Sequence, residues 1–165
     1  MLDKKLLIEL QEYVESHLNR DALYICESVR YVEKSICEEI QNIELEDFIN
    51  TNRKQTFNQV LFSFINKKGV NDSDIYKRAG IDRRHFSKIR SNSDYHPGKN
   101  TTIALALALE LNKEETDELL SAAGFSLSDS ATFDLVIKFY VEKKIYDIQN
   151  INQALDYFGL KPLMA

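Results

Sequence analysis

The residues best suited to chemistry lie in the run Asp82-Arg83-Arg84-His85-Phe86-Ser87-Lys88-Ile89-Arg90-Ser91, where Phe86 and Ile89 are spaced as one face of a helix. Burying that pair turns Arg83, Arg84, Ser87, Lys88 and Arg90 outward. An arginine fork matches the O6 and N7 acceptors of guanine, and a major groove about 12 Å wide admits a helix that carries such forks. The chemistry implied is recognition of base edges and phosphates. In this reading Ser87 and Arg90, with Lys67, Lys68, Lys77, Arg78 and Lys99 at the periphery, hold phosphates.

Catalytic constellations are missing from the sequence. It has no glycine-rich phosphate loop, no His-Glu pair at metal-ligand spacing, no C-x-x-C and no G-x-S-x-G elbow. His17, His85 and His96 are scattered, and His85 is expected to touch solvent or a phosphate. Glu38 with Glu39, and Glu114 with Glu115, point to different sides of a helix and read as solvated or capping charge. Cys26 and Cys37 are too few for a disulfide framework and are expected as half-buried free thiols in a reducing cytoplasm. The longest apolar run, Ile103 to Leu109, is far short of the roughly 20 residues that span a bilayer, so neither a signal peptide nor a membrane segment is expected. These features predict a non-enzyme without metal or cofactor.

The elements that must position the basic run read as helices. Glycine and proline occur only at 69, 80, 97, 98, 124, 159 and 162, and no stretch keeps a two-residue alternation for long, so the expected class is all-α. Leu6, Leu10, Tyr13 and Val14 predict a first helix over 3–18, broken at Asn19 to Asp21. Ile25, Val29, Val32, Ile36, Ile40 and Ile43 form one stripe on a helix over 22–43. That stripe must be buried, either in an intramolecular hairpin or against a second copy, although its near-heptad spacing is too short to define a coiled coil. Leu45, Phe48 and Ile49 suggest a further short helix before a polar link over 51–55.

Charge is segregated along the chain. Residues 1–55 hold 7 Lys or Arg against 12 Asp or Glu, residues 56–100 hold 9 against 4, and residues 101–165 hold 5 against 10, giving balances of −5, +5 and −5. A basic middle on an acidic body can place phosphate contacts while the rest resists sticking elsewhere; a merely solvated charged face is the plainer alternative. The middle opens with Phe57, Val60, Leu61, Phe64 and Ile65 on a helix closed by Gly69. Asn71 is placed to cap a short helix over 72–79 with Ile75 inward, Gly80 closes it, and Asp82 caps the basic helix over 83–91. Farther on, Phe133, Val136, Ile137, Tyr140 and Val141 share a face, as do Ile148, Ile151, Leu155 and Phe158. These are core or interface positions, and the tail's Tyr140, Tyr146, Tyr157 and Phe158 read as core rather than base-stacking surface.

Residues 57–124, about two fifths of the chain, resemble the Xre or lambda-repressor-like helix-turn-helix domains. The likeness rests on Ile75, Ala79-Gly80-Ile81, the run from Asp82 to Ile89, Pro97, Thr101-Thr102, Leu105, Ala106, Leu109 and Leu111, followed by Asn112 and Glu115 as a capping box for a helix bearing Leu119 and Leu120. The resemblance implies a five-helix core over 56–125, flanked by an acidic helical arm or hairpin over 1–55 and a helical extension over 126–165 packed on that core. It also implies base-reading roles for Arg83, Arg84 and Lys88, in a cytoplasmic transcriptional regulator of bacterial or prophage type, plausibly a homodimer on a two-fold DNA site with half-sites one turn apart. Two positions depart from the pattern: Tyr76 stands where these domains usually carry alanine, and Asp72, beside Asp74, stands where they often carry glutamine. Those departures and the acidic total support an alternative, a protein-binding adaptor or inhibitor, of a kind that occurs in phage defence, that keeps the fold without DNA binding and acts through its acidic terminal helices.

Overall fold

A computed structural model describes the backbone of residues 4–164 and the side chains of 8–16 and 25–164, so Leu6 and His17 lie outside the described side chains. All regular structure among the described residues is helical. There are eight helices: α1 (Lys4–Asn52), α2 (Phe57–Lys68), α3 (Asp72–Arg78), α4 (Arg83–Ser91), α5 (Lys99–Ala108), α6 (Lys113–Ala122), α7 (Thr132–Glu142) and α8 (Ile148–Tyr157). The chain divides into two units, Met1–Arg53 and Lys54–Ala165.

The first unit corrects the expected break and hairpin. Asn19 to Asp21 do not interrupt the chain, and Leu45, Phe48 and Ile49 belong to the same helix, which runs unbroken for 49 residues. No glycine or proline lies in it, and Asn, Arg and Asp each cost a helix interior no more than about 0.7 kcal/mol. Without a reversal the first unit offers no second helix to cover the stripe, and Ile25, Val29, Val32, Ile36, Ile40 and Ile43 are 48–63% exposed. Cys26 and Cys37, expected half-buried, are exposed on the same helix.

The second unit is built around α5. Thr102 to Leu109 are all buried, so the apolar run has no polar face because it has no solvent face. Helix α5 packs on α6 and α3, α2 on α6, α6 on α7, and α7 on α8. Phe57, Leu61, Ile75, Ile89, Leu119, Leu120, Ile137, Ile151 and Leu155 close the core around it. The helix bounds follow local signals. Thr56 and Gln59 form a capping box at α2, and Asn112 and Glu115 form the expected one at α6. Gly69 takes the left-handed conformation at φ 63° that ends α2, where a side chain would be strained. Asn71 precedes α3 without a side-chain cap bond, so its expected capping role is not realised. On the tail, Val136, Ile137, Val141, Ile151 and Leu155 are buried as expected, whereas Tyr157 and Phe158 are 85% and 55% exposed and are not core.

Candidate nucleic-acid interface

Helix α4 is positioned from three sides. At its start the Asp82 carboxylate accepts the Arg84 N–H at 2.7 Å. At its end the Asn58 amide of α2 donates to the carbonyls of Ile89 at 2.6 Å and Arg90 at 3.2 Å, which satisfies two of the orphan acceptors of a helix terminus. Between these points Ile89 is fully buried, and Phe86, 3% exposed, sits against the rings of Phe62, edge-on at 6.3 Å, and Tyr76, tilted at 5.9 Å. Tyr76 thus fills the space between α3 and α4 with an aromatic contact. The two helices are joined by Ala79-Gly80-Ile81, where Gly80 has φ +66° and the Ile81 N–H donates to the Tyr76 carbonyl at 2.8 Å.

This packing leaves Arg83, Arg84, Ser87, Lys88 and Arg90 exposed, as the spacing predicts. Their surroundings differ. Among the described residues Arg83 and Arg84 have no side-chain ion pair or ring contact. Lys88 Nζ lies over the Tyr95 ring, 4.4 Å from its centroid. The Arg90 guanidinium pairs with Asp72 and stacks 4.9 Å from the Phe62 ring centroid. Asp72 is therefore not a bare carboxylate facing outward. It anchors Arg90, a planar fork suited to both a carboxylate and an aromatic face.

The peripheral cations are mostly engaged within the protein. Lys99 Nζ donates to Asp134, only 3% exposed, at 2.7 Å, so it ties the start of α5 to α7. Lys67 and Lys68 lie 3.0 and 3.9 Å from the two oxygens of Glu115, Lys68 also donates to the Glu110 carbonyl at 3.2 Å, and Arg78 lies 3.5 Å from the Glu110 carboxylate. Lys77 is exposed and has no such partner among the described residues. Burial pushes the Glu115 carboxyl up, but hydrogen bonds from Lys67 and the Asn112 N–H, together with the charge of Lys68, outweigh it and hold the group below its ordinary value of 4.5.

No family model, no curated protein and no solved structure matches the chain. The geometry therefore carries the functional reading by itself. Sequence reasoning missed two positioning residues, Tyr95 and Asn58. Tyr95 is the base on which Lys88 rests, and its hydroxyl is 3.1 Å from His85 Nε2, so His85 is half-buried and hydrogen-bonded, not turned to solvent or phosphate. A lone tyrosine in an otherwise polar loop was the available signal. Asn58 gave none, because its partners are more than thirty residues away. Among the described residues no three His, Cys, Asp or Glu side chains gather as metal ligands, and no helix is long and apolar enough to cross a membrane.

Proposed function

We propose that this protein binds duplex DNA through the exposed face of α4, and that α2 to α6 act as a repressor-type helix-turn-helix unit. The observation that carries this reading is the pair Arg83 and Arg84. Both are exposed on the first turn of a helix pinned at each end, and among the described residues neither is engaged by an acidic partner, while most of the surrounding cations are. The N-terminal turn of a recognition helix is the part that reaches base edges, and preset arginine forks there are suited to guanine. Ser87 and Lys88 extend the face by one turn. Regulation of transcription is the role such binding would serve.

The test is selection of the purified protein on a random duplex DNA pool at two salt concentrations. An enriched motif whose affinity falls with salt supports the reading, whereas no retention at low salt overturns it. A second reading, a protein-binding adaptor without DNA binding, is favoured by one observation. Leu135, Val136, Phe139, Tyr140, Ala154 and Phe158 line an apolar groove between α7 and α8, with Phe139 and Phe158 more than half exposed.

A further inference from the structure

The continuity of α1 changes how its apolar stripe is read. With no break at Asn19 to Asp21, the apolar positions Leu7, Leu10, Val14, Leu18, Ile25, Val29, Val32, Ile36, Ile40 and Ile43 fall on one register of steps three, four, four, interrupted only by Asp21. That is an eleven-residue repeat. Its period of about 3.67 residues per turn nearly matches the α-helix, so the stripe stays almost straight along the rod instead of winding around it. Its described members, Leu10, Val14 and the six from Ile25 to Ile43, are 45–63% exposed, and α1 forms a unit by itself.

We infer that this face is covered by α1 of a second copy, running antiparallel. The area suits it: eight aliphatic side chains present roughly 500–900 Å² per copy on the usual transfer scale, against about 800 Å² per partner in a stable protein interface. The charge pattern chooses the direction. In a parallel dimer every residue meets its own copy, so Asp21 and Asp47, both on the repeat, would each face an identical carboxylate. The run from Glu38 to Asp47, with five acids and no base, would lie along itself. Reversed about Ile25, the repeat maps onto itself. Leu10 meets the partner's Ile40, Val14 the partner's Ile36, and Asp21 the partner's Val29; Asp47 still meets an aspartate, at position 3, but the five-acid run over 38–47 now lies along 3–12, whose two lysines against three acids repel it less than it repels itself. At about 1.5 Å per residue this arrangement sets the two C-terminal ends of α1 about 80 Å apart. The pairing is independent of what α4 binds.

The native cysteines provide the test. In the full-length Cys26→Ser variant the exposed Cys37 is the single thiol, and a nitroxide attached to it reports the distance between copies. Sedimentation of the unlabelled protein is expected to give twice the chain mass, and pulsed dipolar spectroscopy a separation of about 36 Å, from a stagger of 24 residues. Ile36→Asp is expected to halve the mass while leaving the near-ultraviolet tyrosine circular dichroism of the second unit in place. A monomer at every protein concentration up to the solubility limit, a dimer unaffected by Ile36→Asp, or a label separation under about 20 Å, which the parallel pair would give, each overturns the inference.

Discussion

Removing the Asp134 carboxylate tests whether the second unit depends on a buried charge. One oxygen serves two donors, Lys99 Nζ at 2.7 Å and the Ser128 N–H at 2.8 Å, and Asp134 is 3% exposed while the Lys99 side chain is 30% exposed. Breaking a fully buried pair costs about 3–5 kcal/mol. Lys99 regains part of that through its contact with water, whereas the stranded Ser128 N–H adds about 1–3 kcal/mol. The balance for Asp134→Ala is a loss of about 3 kcal/mol by these magnitudes. Lys99→Ala, which leaves the carboxylate its backbone donor, should lose about 2 kcal/mol. The double variant should lose at least about 1 kcal/mol less than the sum, because the second removal has no pair left to break. The assay is urea unfolding of the full chain read by tyrosine circular dichroism in the near ultraviolet. Tyr76, Tyr95, Tyr140 and Tyr146 are half-buried in the second unit, whereas Tyr13 and Tyr31 on α1 are 61% and 76% exposed, so the signal follows the second unit. The midpoint should fall with the slope unchanged. A loss below about 0.5 kcal/mol, typical of ordinary surface changes, or strict additivity of the two replacements, would refute the assignment of Asp134 and Lys99 as a load shared by α5 and α7.

Three further outcomes follow from the interface. Arg83→Ala should cost about 1–3 kcal/mol on the selected DNA and relax preference at one base pair, while Lys68→Ala, already engaged with Glu115 and the Glu110 carbonyl, should leave binding nearly unchanged; a competition assay over single-base variants compares them. Asp72→Asn should release Arg90, costing the fold no more than about 1 kcal/mol for so exposed a pair but steepening the salt dependence of DNA binding by about one phosphate contact; an unchanged slope in a salt titration counts against it. Glu115 titrates below its ordinary 4.5 in the folded protein, so its contribution to stability is present above that pH and is lost as pH falls through the lowered value. Glu115→Gln should remove that part of the acid sensitivity, measured as the urea midpoint at pH 6 against pH 3.5.

Much of the second unit was legible because its signals are local. Asp82 two residues before the N–H it caps, Gly69 and Gly80 at left-handed turns, and Asn112 with Glu115 all act within one turn of chain, and the spacing of Phe86 and Ile89 identified the outward face of α4. What the sequence did not disclose is long-range. Lys99 meets Asp134 at a separation of 35 residues and Lys67 meets Glu115 at 48, so cations that look alike in the chain divide into engaged and unengaged groups only after folding. Arg90 is the intermediate case, since Asp72, in sequence only a departure from the expected glutamine, turns out to hold an arginine. The arm failed for a different reason. Three polar residues look like a boundary, but a helix ends only where something competes with it, and Asn19-Arg20-Asp21 offers neither a glycine nor a proline.

The junction at Arg53 to Gln55 has a consequence of its own. All three residues are exposed, and the core of the second unit begins only at Phe57, behind the Thr56 cap. A chain can be cut or spliced at such a place without uncovering a buried side chain. Trypsin should therefore find Arg53 and Lys54 early in digestion, and an insertion at this junction displaces no residue of the core, which begins at Phe57.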